Sequence, residues 1–562
     1  MNKYYVSILL IFPLLSFSQT TFTSTITPDL SAYGEVANHP GEGEYEIFLS
    51  TDGILDKPII VVDGFDTGDL RDINGIYSLL DFAGTSGTDN LADQLRAQGF
   101  DVIILNFPVY TRNADGATID GGTDFIERNA LLLVELINSI NTDKASNSPE
   151  QNVIIGPSMG GLIARYALNY MEANVIDADT RLYISFDAPH LGANFPIGLQ
   201  HQLNYLANNP LSPVTELQPV IEGLLQSPAG RQLLIDHLES HLTGDDLFTF
   251  DANATLPVPH PYRIIFNADI NNLTPNGFPE NVRNVAIANG SGNGSFYLAA
   301  DGITPVTNGF TIVDVSLPVD SPLGGTIDVD IDINMTPAAG APQQVSRFFA
   351  PLFPPFVPDI LNAASSGTVH FDGVDAAPGG LFDLSTLTAS FGTTGGIGDA
   401  FFAALQIDKF SYIPTVSALA LDITDAATGN EINWHYSDDF TNATPFVNSF
   451  VPEDNEPHVL LTEANVAFAL VEILNTPLHV LDSELYTFKL EKNPVQNQLI
   501  LRSNLNSAAT ITINDLTGKT VFNSTKELTE RTIINIALNT GFYILNVASD
   551  YNTFTTRFIV NR

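Results

Sequence analysis

The chain has 562 residues, enough for two or three folded domains, and 44% of them are hydrophobic, which excludes a disordered protein. A formal net charge of −42 excludes nucleic acid and anionic membranes as natural partners, because both would be repelled. The absence of cysteine excludes disulfides, thiolate metal sites and thiol nucleophiles.

Lys3 precedes a short apolar run, Val6 to Phe17, and small residues follow at Ser16 and Ser18. This is the pattern of a secretory signal peptide over residues 1–18, with cleavage expected after Ser18. No later run reaches the roughly 18 apolar residues a membrane span needs, so no transmembrane segment is expected.

From about residue 44 to 190 the pattern alternates strand and helix. "EYEIFL", "KPIIVVDGF", "DVIILNFP", "NVIIG" and "RLYISFD" read as strands. "NLADQLRAQGF", "TDFIERNALLLVELINSIN" and "GGLIARYALNYMEAN" read as helices. Continuous apolar strands alternating with amphipathic helices predict an α/β domain with a doubly wound, mostly parallel sheet. Residues 195–285 look largely helical, as in "GRQLLIDHLESHL", and "VRNVAIANG" supplies another buried strand.

Between about 291 and 405 the texture turns to Gly, Pro, Thr and Asp with period-two alternation. "TIDVDIDIN" puts Ile327, Val329, Ile331 and Ile333 on one face and three aspartates on the other, a half-exposed antiparallel strand. It lacks the glycine and the final glutamate of a calcium-binding EF-hand loop. This region is expected to be a β-rich insertion, since mixed texture returns at "FSYIPTVSALAL" and "NVAFALVEILN". The insertion's apolar "RFFAPLFPPFVPDIL" is a candidate lid or a plain core segment. From about 485 to 562, short strands separated by turns predict a small C-terminal all-β sandwich. The α/β domain, insertion included, is expected to span residues 19–484.

The most informative stretch is "NVIIGPSMGG", residues 152–161. A serine hydroxyl becomes a nucleophile only when a base takes its proton and donors await the oxyanion. A strand that turns abruptly into a helix lifts Ser158 above the sheet, and only very small residues fit two before and two after it, here Gly156 and Gly160. This corner resembles that of the α/β-hydrolases, and their chain order of Ser, acid, His implies a base on a loop late in the domain, after the last sheet strand. His458, in "VPEDNEPHVLLTEANVAFALVEILN", meets that condition better than His435 or His479. Asp187, ending the strand after the nucleophile helix, is the preferred acid, with Asp408 as the alternative and His190 as a structural residue.

"GPSMGGLIARYAL", "SFDAPHLGAN" and "IIVVDGFD" resemble the nucleophile region, the following strand end and the oxyanion loop of α/β-hydrolase lipases and esterases. The resemblance implies a Ser158–His458–Asp187 triad, oxyanion donors at the N–H groups of Phe65 and Met159, an acyl-enzyme and no cofactor. "LEKNPVQNQLILRS", "INDLTGKTVF" and "LNTGFYILNVAS" resemble the type IX secretion sorting domain of Bacteroidetes, with Lys492-Asn493-Pro494 departing from the usual Pro-Asn-Pro. That implies passage through the periplasm to the outside by the type IX machinery. A secreted, monomeric serine hydrolase of carboxylic esters is the expectation. An inactive surface-binding protein or a serine peptidase on the same fold are the alternatives.

Overall fold

The computed structural model describes residues 19–562 apart from 86, 209–212, 244–246, 252–256, 321–324, 351–360, 367–371, 386–396, 423–432, 436–442, 475–487, 493–494, 504–507, 516–517, 530, 550–552 and 562. The signal segment, the core of the candidate lid, His479 and the expected junction near 484 therefore lie outside the described residues. The chain divides into two compact units, Met1–Ile473 and Leu474–Arg562.

The first unit is built on an eight-stranded sheet. Its strands are β1 (Thr20–Thr23), β2 (Glu42–Phe48), β3 (Pro58–Val62), β4 (Asp101–Asn106), β5 (Asn152–Pro157), β6 (Thr180–Phe186), β7 (Arg283–Ile287) and β8 (Asn448–Phe450). They lie in the order β1-β2-β4-β3-β5-β6-β7-β8. β1 and β2 run antiparallel, and every pairing from β4 through β3 to β8 is parallel.

Helices cover both faces, so the central strands are apolar along their whole length. Alternate residues of one strand enter different cores. Ile60 and Val62 pack with the helices Ile126–Lys144 and Met159–Ala173, whereas Ile59 and Val61 pack with Leu91–Ala97 and Glu463–Leu474. This is the doubly wound arrangement that the apolar runs predict.

Helix Met159–Ala173 crosses close over the sheet, and glycine makes the approach possible. A Cβ on Gly160 would lie 2.4 Å from the Val62 carbonyl oxygen, and one on Gly156 would lie 2.6 Å from both the Gly160 oxygen and the Gly161 Cα. On Gly161 a Cβ would meet that of Ala188 at 2.4 Å.

The stretch between β7 and β8 contains a four-stranded antiparallel sheet, Thr311–Asp320, Thr326–Asn334, Pro342–Phe349 and Leu361–Ser366. Val329, Ile331 and Ile333 are buried in the larger core, while Asp328 is exposed and Asp332 pairs with Arg347 at 2.9 Å. The helix Ile197–Asn208 packs on this sheet, leaving no room for a side chain at Gly198 beside the Val345 carbonyl oxygen.

One expectation fails locally. "GRQLLIDHLESHL" is not one helix: the helix Pro228–Leu233 stops, and Leu234 turns extended. Ala193 takes the Leu233 carbonyl at 2.8 Å and accepts from Ile235 N–H at 2.8 Å, so a tertiary bridge replaces the helical bonds.

In the second unit, a three-stranded and a four-stranded antiparallel sheet share one apolar core, with Leu499, Leu501 and Ile534 from the first and Ile511, Ile513, Val547 and Phe558 from the second. Two sheets face to face form a sandwich.

The strand backbone facing Gly160 cannot yield. Gly160→Ala is expected to destabilise the chain by about 1–3 kcal/mol or more through overpacking, read from urea unfolding midpoints. An unchanged midpoint contradicts this account of the turn.

Candidate active site

Ser158 sits between the last residue of β5 and the first of helix Met159–Ala173, with φ 54° and ψ −131°. A non-glycine residue with positive φ is strained, and the surrounding backbone must hold it. Here the Ser158 N–H donates to Phe186 O at 2.9 Å and the Gly161 N–H donates to Ser158 O at 3.0 Å. The side chain is thereby lifted from the sheet edge and remains partly accessible.

His458 reaches this hydroxyl from the loop that follows β8. Its Nε2 lies 2.8 Å from Ser158 Oγ, and its Nδ1 lies 2.7 Å from Asp187 Oδ2. The His458 N–H donates to Leu381 O at 2.8 Å, and the Leu381 N–H donates to Glu456 O at 2.9 Å, so the insertion's strand Gly379–Asp383 clamps the histidine loop. The Tyr412 ring stands edge-on to the imidazole, with centroids 5.1 Å apart.

Asp187 follows β6, is fully buried and has φ 47°. Its N–H donates to Ile287 O at 2.6 Å, and its Oδ1 accepts from the Asn289 N–H at 3.1 Å. A Cβ on Gly380 would lie 2.0 Å from Oδ2, so only glycine lets the insertion's strand pass the carboxylate. Asn289 also donates to Glu456 Oε2 at 3.0 Å and to Leu460 O at 2.9 Å, tying the end of β7 to the histidine loop. Burial pushes the Glu456 carboxyl up, the Asn289 bond opposes this, and the nearby Asp187 charge adds to it.

The loop after β3 lies against Ser158. A Cβ on Gly64 would sit 3.2 Å from Ser158 Cβ and 3.7 Å from Met159 N. Met159 N–H opens its helix and has no intrahelical acceptor. Phe65 follows Gly64 on this loop. Behind it, Arg71 donates to Phe65 O at 2.8 Å and to Asp63 Oδ1 at 3.2 Å. Burial raises the Asp63 carboxyl to about 7, against the pull of the Arg71 guanidinium.

Ser158, His458 and Asp187 thus come together, with Gly64–Phe65 and Met159 beside them. Asp408 does not join them: its backbone carbonyl accepts from the Leu384 N–H at 2.9 Å, and the carboxylate bonded to His458 is that of Asp187. His190 bonds Ser185 Oγ at 2.8 Å and packs against Phe278 and Phe446, where burial holds its pKa well below the usual value. His435 bonds Gly373 O at 3.2 Å. Gly380, Tyr412, Asn289 and Arg71 carry no sequence signal of their own. They are recognisable only once distant segments are brought together.

Residues 57–210 match the PGAP1-like alpha/beta domain family, and residues 493–561 match the secretion system C-terminal sorting domain. The chain is an α/β-hydrolase-fold protein with a type IX sorting domain at its C-terminus. Such a sorting domain marks an exported protein, released or held at the cell surface. No curated protein matches the chain.

Among solved structures, an a/b serine hydrolase without lid from Xanthomonas campestris is 12% identical with TM-score 0.20, over 32% of this chain and 65% of that one. Brefeldin A esterase, a bacterial homologue of human hormone sensitive lipase, is 15% identical with TM-score 0.20, over 32% of this chain and 43% of that one. A thermostable carboxyl esterase from Bacillus coagulans is 13% identical with TM-score 0.25, over 48% of this chain and 79% of that one. The chain thus spans less than two thirds of the length of the first two. The hydrolase fold has no helix among its described residues that is long and apolar enough to cross a membrane.

The raised Asp63 pKa has a signed consequence in this hydrolase fold. Between the ordinary carboxyl range near 4 and about 7, the folded state binds more protons than the unfolded state, so this group's contribution to stability falls as pH rises. In Asp63→Asn that fall is absent. Urea unfolding at pH 5 and pH 8 should show the variant's stability relative to wild type increasing between the two. An equal difference at both pH values contradicts the assignment.

Proposed function

We propose that this protein is an exported serine hydrolase of carboxylic esters, of the lipase or esterase type. One observation carries the reading: a single imidazole is hydrogen-bonded at one nitrogen to a hydroxyl held on a strained turn and at the other to a buried carboxylate. In this reading Ser158 Oγ attacks the ester carbonyl while His458 Nε2 accepts its proton. Asp187 holds Nδ1–H, which fixes the tautomer and stabilises the imidazolium as it forms.

The N–H groups of Met159 and Phe65 receive the developing oxyanion, each such donor typically being worth about 10²–10³ in rate. The tetrahedral adduct collapses, the ester C–O bond breaks, and His458 gives its proton to the departing alcohol. Water, deprotonated by His458, then attacks the acyl-enzyme and frees the carboxylic acid and Ser158. Hydrolysis through these residues balances without a cofactor.

Burial supports the reading further. Asp187 is sealed from solvent, while the side chain of His458 retains 13% exposure. The C-terminal sorting domain fits export by the type IX machinery, with the hydrolase domain as its cargo.

The test is hydrolysis of nitrophenyl esters of graded acyl length by the purified full chain. Ser158→Ala should reduce turnover by roughly 10⁶, and Asp187→Asn by about 10⁴. Wild-type hydrolysis that survives Ser158→Ala refutes the assignment.

A further inference from the structure

We propose that Arg71 is the positioning residue of the oxyanion loop, a role that rests on the ester-hydrolase reading. The Phe65 N–H belongs to the Gly64–Phe65 peptide, and Gly64, with no Cβ, leaves that peptide conformationally free. No side chain at Gly64 can restrain that peptide, because a Cβ there would press on Ser158 Cβ at 3.2 Å and on the Pro157 carbonyl oxygen at 3.3 Å. The restraint has to come from elsewhere.

Arg71 Nη2 supplies it by bonding on both sides of Gly64, to Asp63 Oδ1 at 3.2 Å and to Phe65 O at 2.8 Å. The first tie is to a buried carboxyl group fixed at the end of the sheet. Asp63 is 1% exposed, its N–H donates to Leu105 O at 3.0 Å at the end of β4, and its Oδ2 has no partner among the described residues. Above about pH 7, where this carboxyl is charged, leaving it buried without its cation is costly, and the pair stays closed.

The rest of the loop is closed onto the same residue. The Arg71 N–H donates to Asp66 Oδ2 at 2.8 Å, and the Asp66 N–H donates to Gly122 O at 3.2 Å. A Cβ on Gly122 would lie 2.1 Å from the Asp66 carbonyl oxygen, so the loop has no slack on that side. Arg71 also stands near the histidine half of the site. Burial pushes the Tyr412 phenol up to about 12, the Arg71 charge pulls it back, and the Tyr412 ring is the one standing edge-on to His458.

The consequence is specific to the transition state. Turning the Gly64–Phe65 peptide weakens a bond made to the oxyanion and not to the bound ester. Misplacing one donor by an ångström or so costs about 10- to 100-fold in turnover.

The experiment compares the wild-type full chain with Arg71→Met and Arg71→Lys at pH 8. It measures kcat and KM on a short-chain nitrophenyl ester, the inhibition constant of a trifluoromethyl ketone that forms an oxyanion adduct, and the unfolding midpoint. Arg71→Met should lower kcat about 10- to 100-fold with KM within about twofold, and weaken the ketone in parallel. Arg71→Lys, which keeps the charge on a shorter side chain that falls short of the Nη2 position, should recover part of both. If Arg71→Met does not fold, Arg71→Lys decides: lowered kcat at an unchanged midpoint supports the role, and unchanged kcat overturns it. Arg71 variants that keep wild-type kcat, or lose activity only through KM, overturn the inference and leave the hydrolase reading standing. A wild-type chain that hydrolyses no ester and takes up no fluorophosphonate overturns both.

Discussion

The contact on which the site depends is the one between a helix start and the backbone of two strands. Ser158 holds φ 54° because Gly156, Gly160 and Gly161 let helix Met159–Ala173 approach β3 and β5 to distances no side chain permits. That strain is sustained by a core in which the strands are buried on both faces and cannot shift. The hydroxyl is consequently presented above the sheet at a fixed height, and His458 and the Gly64–Phe65 loop are arranged around it.

The second constraint is electrostatic. Asp187 is a fully buried carboxylate, and burying a charge is costly unless donors surround it. Two donors reach the carboxylate from distant parts of the chain: the Asn289 N–H beyond β7 and His458 Nδ1 beyond β8. The insertion between β7 and β8 contributes by proximity, with Gly380 passing the carboxylate and Leu381 holding the histidine backbone. An insertion that appears in the sequence as a foreign β-rich segment is therefore part of the scaffold that orients the imidazole.

Much of this is legible in the amino-acid sequence. Apolar runs such as "DVIILNF" reveal a sheet covered on both faces because burial on both sides removes every polar position. The corner at Ser158 is legible because its requirements are local: strand, small residues, helix. His458 and Asp187 are legible through chain order, each following the end of a sheet strand. What escaped is non-local. Gly380 and Tyr412 sit in a segment with no recognisable motif, Arg71 acts across a loop, and the helix expected through Leu234 is replaced by a bridge to Ala193. Those features depend on which distant backbone happens to be adjacent, and hydrophobic periodicity carries no record of it.

The most direct test of the proposed chemistry is to locate the residue that a covalent probe labels. The full chain is mixed with a fluorophosphonate, digested and mapped by mass spectrometry, alongside a His458→Ala variant. One adduct is expected, on Ser158, forming far more slowly when His458 is absent. An adduct on another residue, or equal labelling with and without the imidazole, contradicts that chemistry.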